Sequence, residues 1–557
     1  MGKLQNGGQL LIECLINLGA SKSFGVPGES YLPVLDALHD TEGQLDFIGC
    51  RNEGGAAFMS VAYGKLTATP GICFVTRGPG ATNASIGVHT AMQDSTPMLL
   101  FVGQVGTAMR YREAFQEVNY EAYFGSIAKW VVEIPEADRI PELVGRAWST
   151  ALSGRAGPVV VALPEEVLSN MSTQAPCQPV RIPEPGANSV AMEQAKALIS
   201  HSKKPLLLVG GRGWGETGKQ DLLAFAERTQ IPIAVAFRFH DVVDNTHNNY
   251  VGDAGVGMSP YLKTVIKDSD LIIAIGVRFG EMTTDGYDLI DVPNPQMKLI
   301  HSHSSDVELG KIFAADVPLH CGPNEMTKAL ANLKLSPKTN SWVTAARRCY
   351  LDGLLPVAQP GPVDMGQIMQ FLQRTLPSDA ILTNGAGNFA IWLNKFFQFG
   401  RDQRLLAPQS GAMGFGLPAA IASKAVDGNR TVVCIAGDGD FQMNCQELGT
   451  AMQYGIQPIV LIVNNGSYGT IRMHQERHFP ARVSGTELIN PDFVQIAQGY
   501  GFMGEVVKST DEFYPAFERA MTSKTGAIID IHIDIESLTP KQSLSAIRRQ
   551  GESDLAS

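Results

Sequence analysis

The sequence predicts an α/β chain built as three doubly wound parallel-sheet domains. Three features carry that reading. The apolar runs are short, rich in β-branched residues and free of in/out alternation; helix-like segments separate them; and glycine collects at their ends, where strands turn into helices. Strands without alternation belong to parallel sheets covered on both faces.

In chain order, the first block holds "LDFIGC", "GICFVT", "PMLLFVG" and "GPVVVALP". The second holds "PLLLVGG", "IPIAVAF", "DLIIAIGVRFG" and "MKLIHSH", and the third "AILTNGAG", "TVVCIAGDGD", "IQPIVLIVNN" and "GAIIDIHIDI". Polar, proline-bearing joints divide them: "STQAPCQPVRIPEPGANS" (172–189), then "KLSPKTNSWV" (334–343) through "PVAQPGPVD" (356–364). The expected domains are therefore 1–175, 190–335 and 360–540, with a polar C-terminal tail over 541–557. Right-handed crossovers put the functional loops beyond the carboxyl ends of such strands.

At 557 residues the chain is too long for one core. A net charge of −11 argues against nucleic acid as a partner, whose footprint is a basic face. The eight cysteines are scattered and form no C-x-x-C pair, so they read as reduced, mostly buried thiols. Residues 1–19 read as one face of a soluble helix rather than a leader, and no stretch of about 18 apolar residues offers a membrane span. The expectation is a cytoplasmic protein with no membrane partner.

Chemistry concentrates in the third block. Gly437-Asp438-Gly439 ends one strand, Asn464-Asn465 ends the next, and 24 residues separate Gly439 from Asn464. Alone, either is a tight turn or a capped loop. Together they set a carboxylate and a carboxamide at one sheet edge. Mg²⁺ favours hard oxygen ligands and commonly takes one or two carboxylates plus phosphate oxygens. Asp438, Asn465 and the main-chain oxygen near Ser467 supply such a set, while the glycines and a helix start admit a diphosphate.

This spacing resembles the metal–diphosphate signature of thiamine-diphosphate-dependent enzymes, and the resemblance runs over almost the whole chain. It is nearest the acetohydroxyacid synthase (acetolactate synthase)-like branch. That resemblance implies a pyrimidine-binding, a central and a diphosphate-binding domain, in that order. It implies thiamine diphosphate and Mg²⁺ as cofactors, with Asp438, Asn465 and the Ser467 backbone as metal ligands. Gly437, Gly439, Asp440, Tyr468 and Gly469 would line the same site.

In "CRNEGGAAFMSVAYGK", Glu53 follows a strand and opens a small-residue helix. A Glu there is ordinarily a helix-dipole partner; the family segment it resembles makes it the acid that activates the aminopyrimidine ring. "SGAMGFGLPAAIAS" (410–423) resembles the cradle that bends the cofactor, with Met413 as the apolar wedge and Gly411 as a pyrimidine contact. "TNGAGNFAIW" (383–392) resembles the loop over the diphosphate, but Asn388 and Phe389 stand where synthases commonly carry Gln and His. "TRGPGATNASIG" (76–87) and "REAFQEVNYEAYFGSIAKW" (112–130) would bring Phe115, Gln116 and Lys129 near the reaction centre. His89 has no counterpart in the pattern and reads as structural.

Other departures concern the acceptor and a flavin. Met282, in "GVRFGEMTTDG", replaces an arginine expected to hold an acceptor keto acid. His474 replaces a tryptophan expected to line its alkyl group. His303 and Ser305 stand where flavin-bearing synthases place aspartates; the glycine cluster "GGRGWGETG" (210–218) is weak evidence by itself, and FAD is not favoured.

The resemblance implies a carboligase that decarboxylates a 2-keto acid and passes the remainder to an aldehyde or ketone, in a homodimer or homotetramer. Two other readings stand beside it: an oxalyl-CoA decarboxylase or 2-hydroxyacyl-CoA lyase-like enzyme, and a non-catalytic scaffold of the same fold.

Overall fold

The computed structural model of the chain describes residues 3–41 and 43–556. Three six-stranded sheets, each wholly parallel, carry the architecture. The first runs, across the sheet, Asp46–Gly49, Lys22–Gly25, Gly71–Val75, Met98–Gln104, Pro158–Pro164, Trp130–Glu133. The third runs Arg404–Leu406, Ile381–Asn384, Val432–Gly437, Ile459–Asn464, Ala527–His532, Met503–Val507. Numbered along the chain, both read 2-1-3-4-6-5, so the two outer blocks repeat one topology.

The middle sheet differs. Its order is Tyr250–Ala254, Ile233–Ala236, Pro205–Val209, Leu271–Ile275, Lys298–His303, Val317–His320, or 3-2-1-4-5-6. Strand order reverses between Pro205–Val209 and Leu271–Ile275, and ligand crevices of open α/β sheets form at such switch points. In the third sheet the reversal falls between Ile381–Asn384 and Val432–Gly437. The GDG turn therefore leaves the sheet at its switch point.

The apolar runs of the sequence supply four strands of each sheet. The two remaining in the middle and third sheets are their edge strands: Tyr250–Ala254, Val317–His320, Arg404–Leu406 and Met503–Val507. An edge strand is covered on fewer sides, so it needs no continuous apolar run. In the first sheet, Trp130–Glu133 is the equivalent edge, and Lys22–Gly25 is a four-residue strand opening on Lys22 and Ser23.

The first and third blocks share one core. The helix Glu53–Thr67 packs between Pro79–Asp94 and Gly416–Val426, and Phe58 meets Phe415 edge-to-face at 5.4 Å. At the far end of that helix, Lys65 and Asp94 form a fully buried ion pair at 2.5 Å. Lys65 also donates to the Ala407 carbonyl, and Asp94 accepts the Gln409 amide at 2.5 Å, so the pair grips the strand end that leads into residues 410–413. The middle block joins through Arg238, which donates to the Gly385 carbonyl at 3.1 Å.

The segment read as a polar tail contains a helix, Leu544–Ala556, whose Leu544 and Ile547 pack with Met473 and Leu538. Arg548 adds a two-pronged contact to the buried Glu476 of the helix Gly469–His478. Spaced apolar residues within a charged stretch hid this packing; the expected boundary at 540 cuts through it. No helix among the described residues is long and apolar enough to cross a membrane.

Candidate active site

Parallel pairing sets Gly437 beside Val463, so the two strands end together and their loops meet. Asp438 is 2% exposed. Its Oδ1 accepts the Gly439 amide at 3.0 Å and its Oδ2 accepts Asn490 Nδ2 at 2.7 Å. Burial nevertheless pushes the carboxyl above its usual range, because these donors do not replace the lost water. Asn490 also donates to Asn464 Oδ1 at 2.9 Å, while Asn464 Nδ2 donates to Asp530 Oδ1 at 3.0 Å. No sequence motif pointed to Asn490, which lies 26 residues beyond Asn464 and reaches the site only through the fold.

Asn465 Oδ1 accepts the Ser467 amide at 3.0 Å, closing the turn after the second strand. Ser467 is buried, donates its hydroxyl to the Thr486 carbonyl at 2.8 Å, and offers its own carbonyl to Gly469 at 2.8 Å. Tyr468 anchors its amide on Thr486 at 2.9 Å. A Cβ at Gly439 would stand 2.6 Å from the Tyr468 ring, so only glycine lets the two loops close. A buried carboxylate short of compensation, a carboxamide and a main-chain carbonyl form an all-oxygen set that suits Mg²⁺ completed by diphosphate oxygens.

Asp440 serves differently from its neighbour. Its Oδ1 accepts the amides of Ala386 at 3.1 Å and Gly414 at 2.9 Å, stitching together the loops at 385–388 and 411–414. Its Oδ2 is buried without a partner, and burial pushes the carboxyl up to about 7. Gly411, at φ 67°, occupies the left-handed region that favours glycine and turns the chain toward the half-buried Met413. Asn388 is committed to Thr470: its main-chain amide donates to Thr470 Oγ1 at 2.9 Å and its Oδ1 accepts from that hydroxyl at 3.1 Å.

A second cluster stands at the carboxyl edge of the first sheet. Glu53 occupies the first turn of its helix; Asn52 caps that turn through Gly54 at 2.8 Å. Asn83 donates to Glu53 Oε2 at 2.9 Å, and Gly80 leaves room beside Oε1, where a Cβ would stand 3.3 Å away. Gln116, at φ 65°, closes over Gly78, and Phe115 is 77% exposed with its carbonyl held by Arg77 at 3.2 Å. Glu53, Phe115 and Gln116 thus share one sheet edge. Among the described residues no hydrogen bond or ion pair links Glu53 to Asp438, Asn465 or Met413.

Lys129 does not join this cluster. Its Nζ donates to the carbonyls of Thr150 at 2.5 Å and Ser153 at 2.6 Å, capping the helix Ile140–Leu152, and burial lowers its pKa to about 8. His89 departs from the structural role expected of it: it is exposed on the wall of a cavity of about 880 Å³ at the switch point of the middle sheet. Arg278, Met282, Ser410, Gly411 and Asn388 line the same space, so it opens beside the cradle. Met282 is 38% exposed there. His474 lies elsewhere, on the outward face of its helix, stacked on His478.

The cavity is cationic, bordered also by Arg155, Arg212 and Arg238. On the loop that the resemblance sets near a flavin nucleotide, His303 Nδ1 accepts the Ser305 amide at 2.9 Å. The buried carboxylate nearby, Glu308, is committed to Arg155 at 3.2 Å and Lys311 at 3.3 Å.

Comparison with known proteins bears on all three blocks. Residues 5–123 match the family description "Thiamine pyrophosphate enzyme, N-terminal TPP binding domain", 192–330 the central domain, and 385–531 the C-terminal TPP binding domain. The chain is 32% identical to the acetolactate synthase large subunit of Parasynechococcus marenigrum, over 95% of this chain and 87% of that one. It is 32% identical to the acetolactate synthase of Arthrospira platensis, over 95% and 94%. With the acetolactate synthase isozyme 2 large subunit of Escherichia coli the identity is 29%, over 96% and 97%.

Proposed function

Since the chain belongs to the thiamine pyrophosphate enzymes, on their acetolactate synthase branch, we propose that it joins a 2-keto acid donor to an aldehyde or ketone acceptor, using Mg²⁺ with its thiamine diphosphate. The observation that carries this reading is the meeting of Asp438 and Asn465 at the ends of paired strands, at the sheet's switch point.

When bound, thiamine diphosphate supplies the electron sink for losing carbon dioxide and forming a carbon–carbon bond. The chain's residues do the rest. Asp438, Asn465 and the Ser467 carbonyl hold the metal. Gly437, Gly439 and Gly469 admit the diphosphate, with the Tyr468 ring walling the turn. Asp440 fixes the distance between the loop at 385–388 and the Gly411–Met413 cradle, because one carboxylate oxygen holds both loops. Glu53 Oε2 is taken up by Asn83, which leaves Oε1 to carry the proton exchanged with the aminopyrimidine.

Glu53 and the Asp438 loop carry complementary halves of one site, and among the described residues no hydrogen bond or ion pair joins them. We therefore read the enzyme as a homodimer or homotetramer in which one chain's Glu53, with Phe115 and Gln116, faces the cofactor held by another. Mixing Glu53→Gln and Asp438→Ala chains under exchange conditions then restores activity. We place the enzyme in the cytoplasm, where its free cysteines stay reduced.

The cationic cavity favours one further donor class, a 2-hydroxyacyl-CoA, whose phosphates would meet Arg155 and Arg212. A product screen by mass spectrometry separates the readings: pyruvate, glyoxylate and a 2-hydroxyacyl-CoA as donors, against a small panel of aldehydes and ketones. Coupled products from a keto acid support the carboligase. Cleavage confined to the CoA donor would replace it.

A further inference from the structure

We propose that Glu447, in the third block, is the positioning residue that aims Glu53, in the first. This rests on the reading of Glu53 as the proton-carrying acid. Glu447 lies nine positions after Asp438 and is 0% exposed. Its carboxylate accepts the amide of Asn52 at 2.9 Å and that of Arg51 at 3.2 Å, the two residues immediately before Glu53. The Thr450 hydroxyl donates to Oε2 at 2.6 Å and fixes the carboxylate's rotation.

The clasp is reciprocal. Arg51 Nη2 reaches back to the Gly449 carbonyl at 3.0 Å and to Gln453 Oε1 at 2.8 Å. The Glu447 carboxylate also lies against the first turn of the Glu53 helix, where a Cβ at Gly55 would stand 2.5 Å from its Oε1. Asn52, held by Glu447 through its amide, passes the constraint on by capping Gly54.

A buried carboxylate is an expensive way to hold two domains together, since desolvation opposes it and apolar contact does the same work. What it adds is direction. Two consecutive amides on one carboxylate fix the backbone at residues 51 and 52, and with it the angle at which the helix starts. Successive helix residues are rotated by about 100°, so even a partial slip at that start swings the Glu53 carboxyl off its target. The same third block that holds Asp438 thereby sets where the first block's acid points.

The test is a double-mutant cycle on the reconstituted holoenzyme. Exchange of the thiazolium C2 proton for deuterium is read by NMR after acid quench in wild type, Glu53→Gln, Glu447→Gln and the double variant. Amide exchange of the segment 50–55 is read by mass spectrometry on the cofactor-free proteins. We expect Glu447→Gln to slow C2 exchange about tenfold or more, to speed amide exchange at 51–53, and to add nothing in the Glu53→Gln background. An equal loss in both backgrounds, or no loss in either, overturns the proposal. If Glu53→Gln itself leaves C2 exchange unchanged, the assignment of Glu53 fails and this inference fails with it. Should Glu447→Gln not fold, Thr450→Val frees the same carboxylate to rotate; it should slow C2 exchange in wild type but not in Glu53→Gln, and an unchanged rate overturns the proposal.

Discussion

Asn490 Nδ2 lies 2.7 Å from Asp438 Oδ2, and its reach to Asn464 makes one carboxamide the clamp between two strand ends. Partners that orient a metal ligand typically matter about 10–100-fold in affinity. Asn490→Ala should therefore weaken retention of thiamine diphosphate with Mg²⁺ by about tenfold or more, with little change in the unfolding midpoint. Calorimetric titration of the cofactor checks this. Wild-type affinity would remove Asn490 from the account.

The Lys65–Asp94 pair offers a test of the shared core. Both side chains are completely buried; burial lowers the pKa of Lys65 to about 8, and the charge of Asp94 opposes that shift. Lys65→Met removes the cation paired directly with Asp94 and leaves only the charges of Arg212, Arg238 and Arg278 acting on that carboxylate; breaking a buried pair from one side costs about 3–5 kcal/mol. The double variant Lys65→Met with Asp94→Leu should recover much of that loss. Urea unfolding midpoints decide it.

Glu476 gives the C-terminal helix a defined pH dependence. Its carboxyl is held down to about 2, chiefly by the hydrogen bonds from Arg548. A depressed carboxyl contributes stability that is present above its ordinary value of 4.5 and lost as pH falls through about 2. Docking of Leu544–Ala556 should thus hold at neutral pH and loosen between those limits. Pepsin cleavage within 540–556, followed against pH, should rise across that window in wild type. Arg548→Ala should already be cleaved faster above it.

Met282 stands at the cavity wall, at the position where the family resemblance leads us to expect an arginine that grips an acceptor carboxylate. Arg278, the nearby cation, already donates to the Gln93 carbonyl at 2.5 Å. A guanidinium–carboxylate contact contributes about 1.5–3 kcal/mol, or roughly ten- to hundredfold in selectivity. Acceptors without a carboxylate should compete well against 2-ketobutyrate in wild type, and Met282→Arg should shift the product ratio back toward the keto acid. A one-donor competition at equal acceptor concentrations reads the ratio directly.

Much of this was legible in the sequence because parallel strands advertise themselves. "TVVCIAGDGD" is the strand Val432–Gly437 with its turn, and "LDFIGC" ends three residues before Glu53 opens its helix. What stayed hidden depends on three-dimensional meeting. The edge strand Arg404–Leu406 is too short and too polar at its start to stand out. Asn490 and Glu447 lie outside every motif quoted above, and Asn83 lies inside one that did not single it out, since their roles come from partners 26 to 396 residues away. Lys129 resembled a site residue because its neighbours do, yet the end of a nearby helix takes its charge. His89 looked structural only because nothing in the pattern called for it.

The proposed carboligase stands or falls on whether the Asp438 loop holds the cofactor that drives keto-acid decarboxylation. The most direct measurement titrates the cofactor-free protein with thiamine diphosphate and Mg²⁺ in the presence of pyruvate and follows carbon dioxide release, in wild type and in Asp438→Ala. The account predicts saturable, cofactor-dependent release in wild type and none in the variant, which should no longer retain the cofactor. Release by Asp438→Ala at the wild-type cofactor affinity would contradict it.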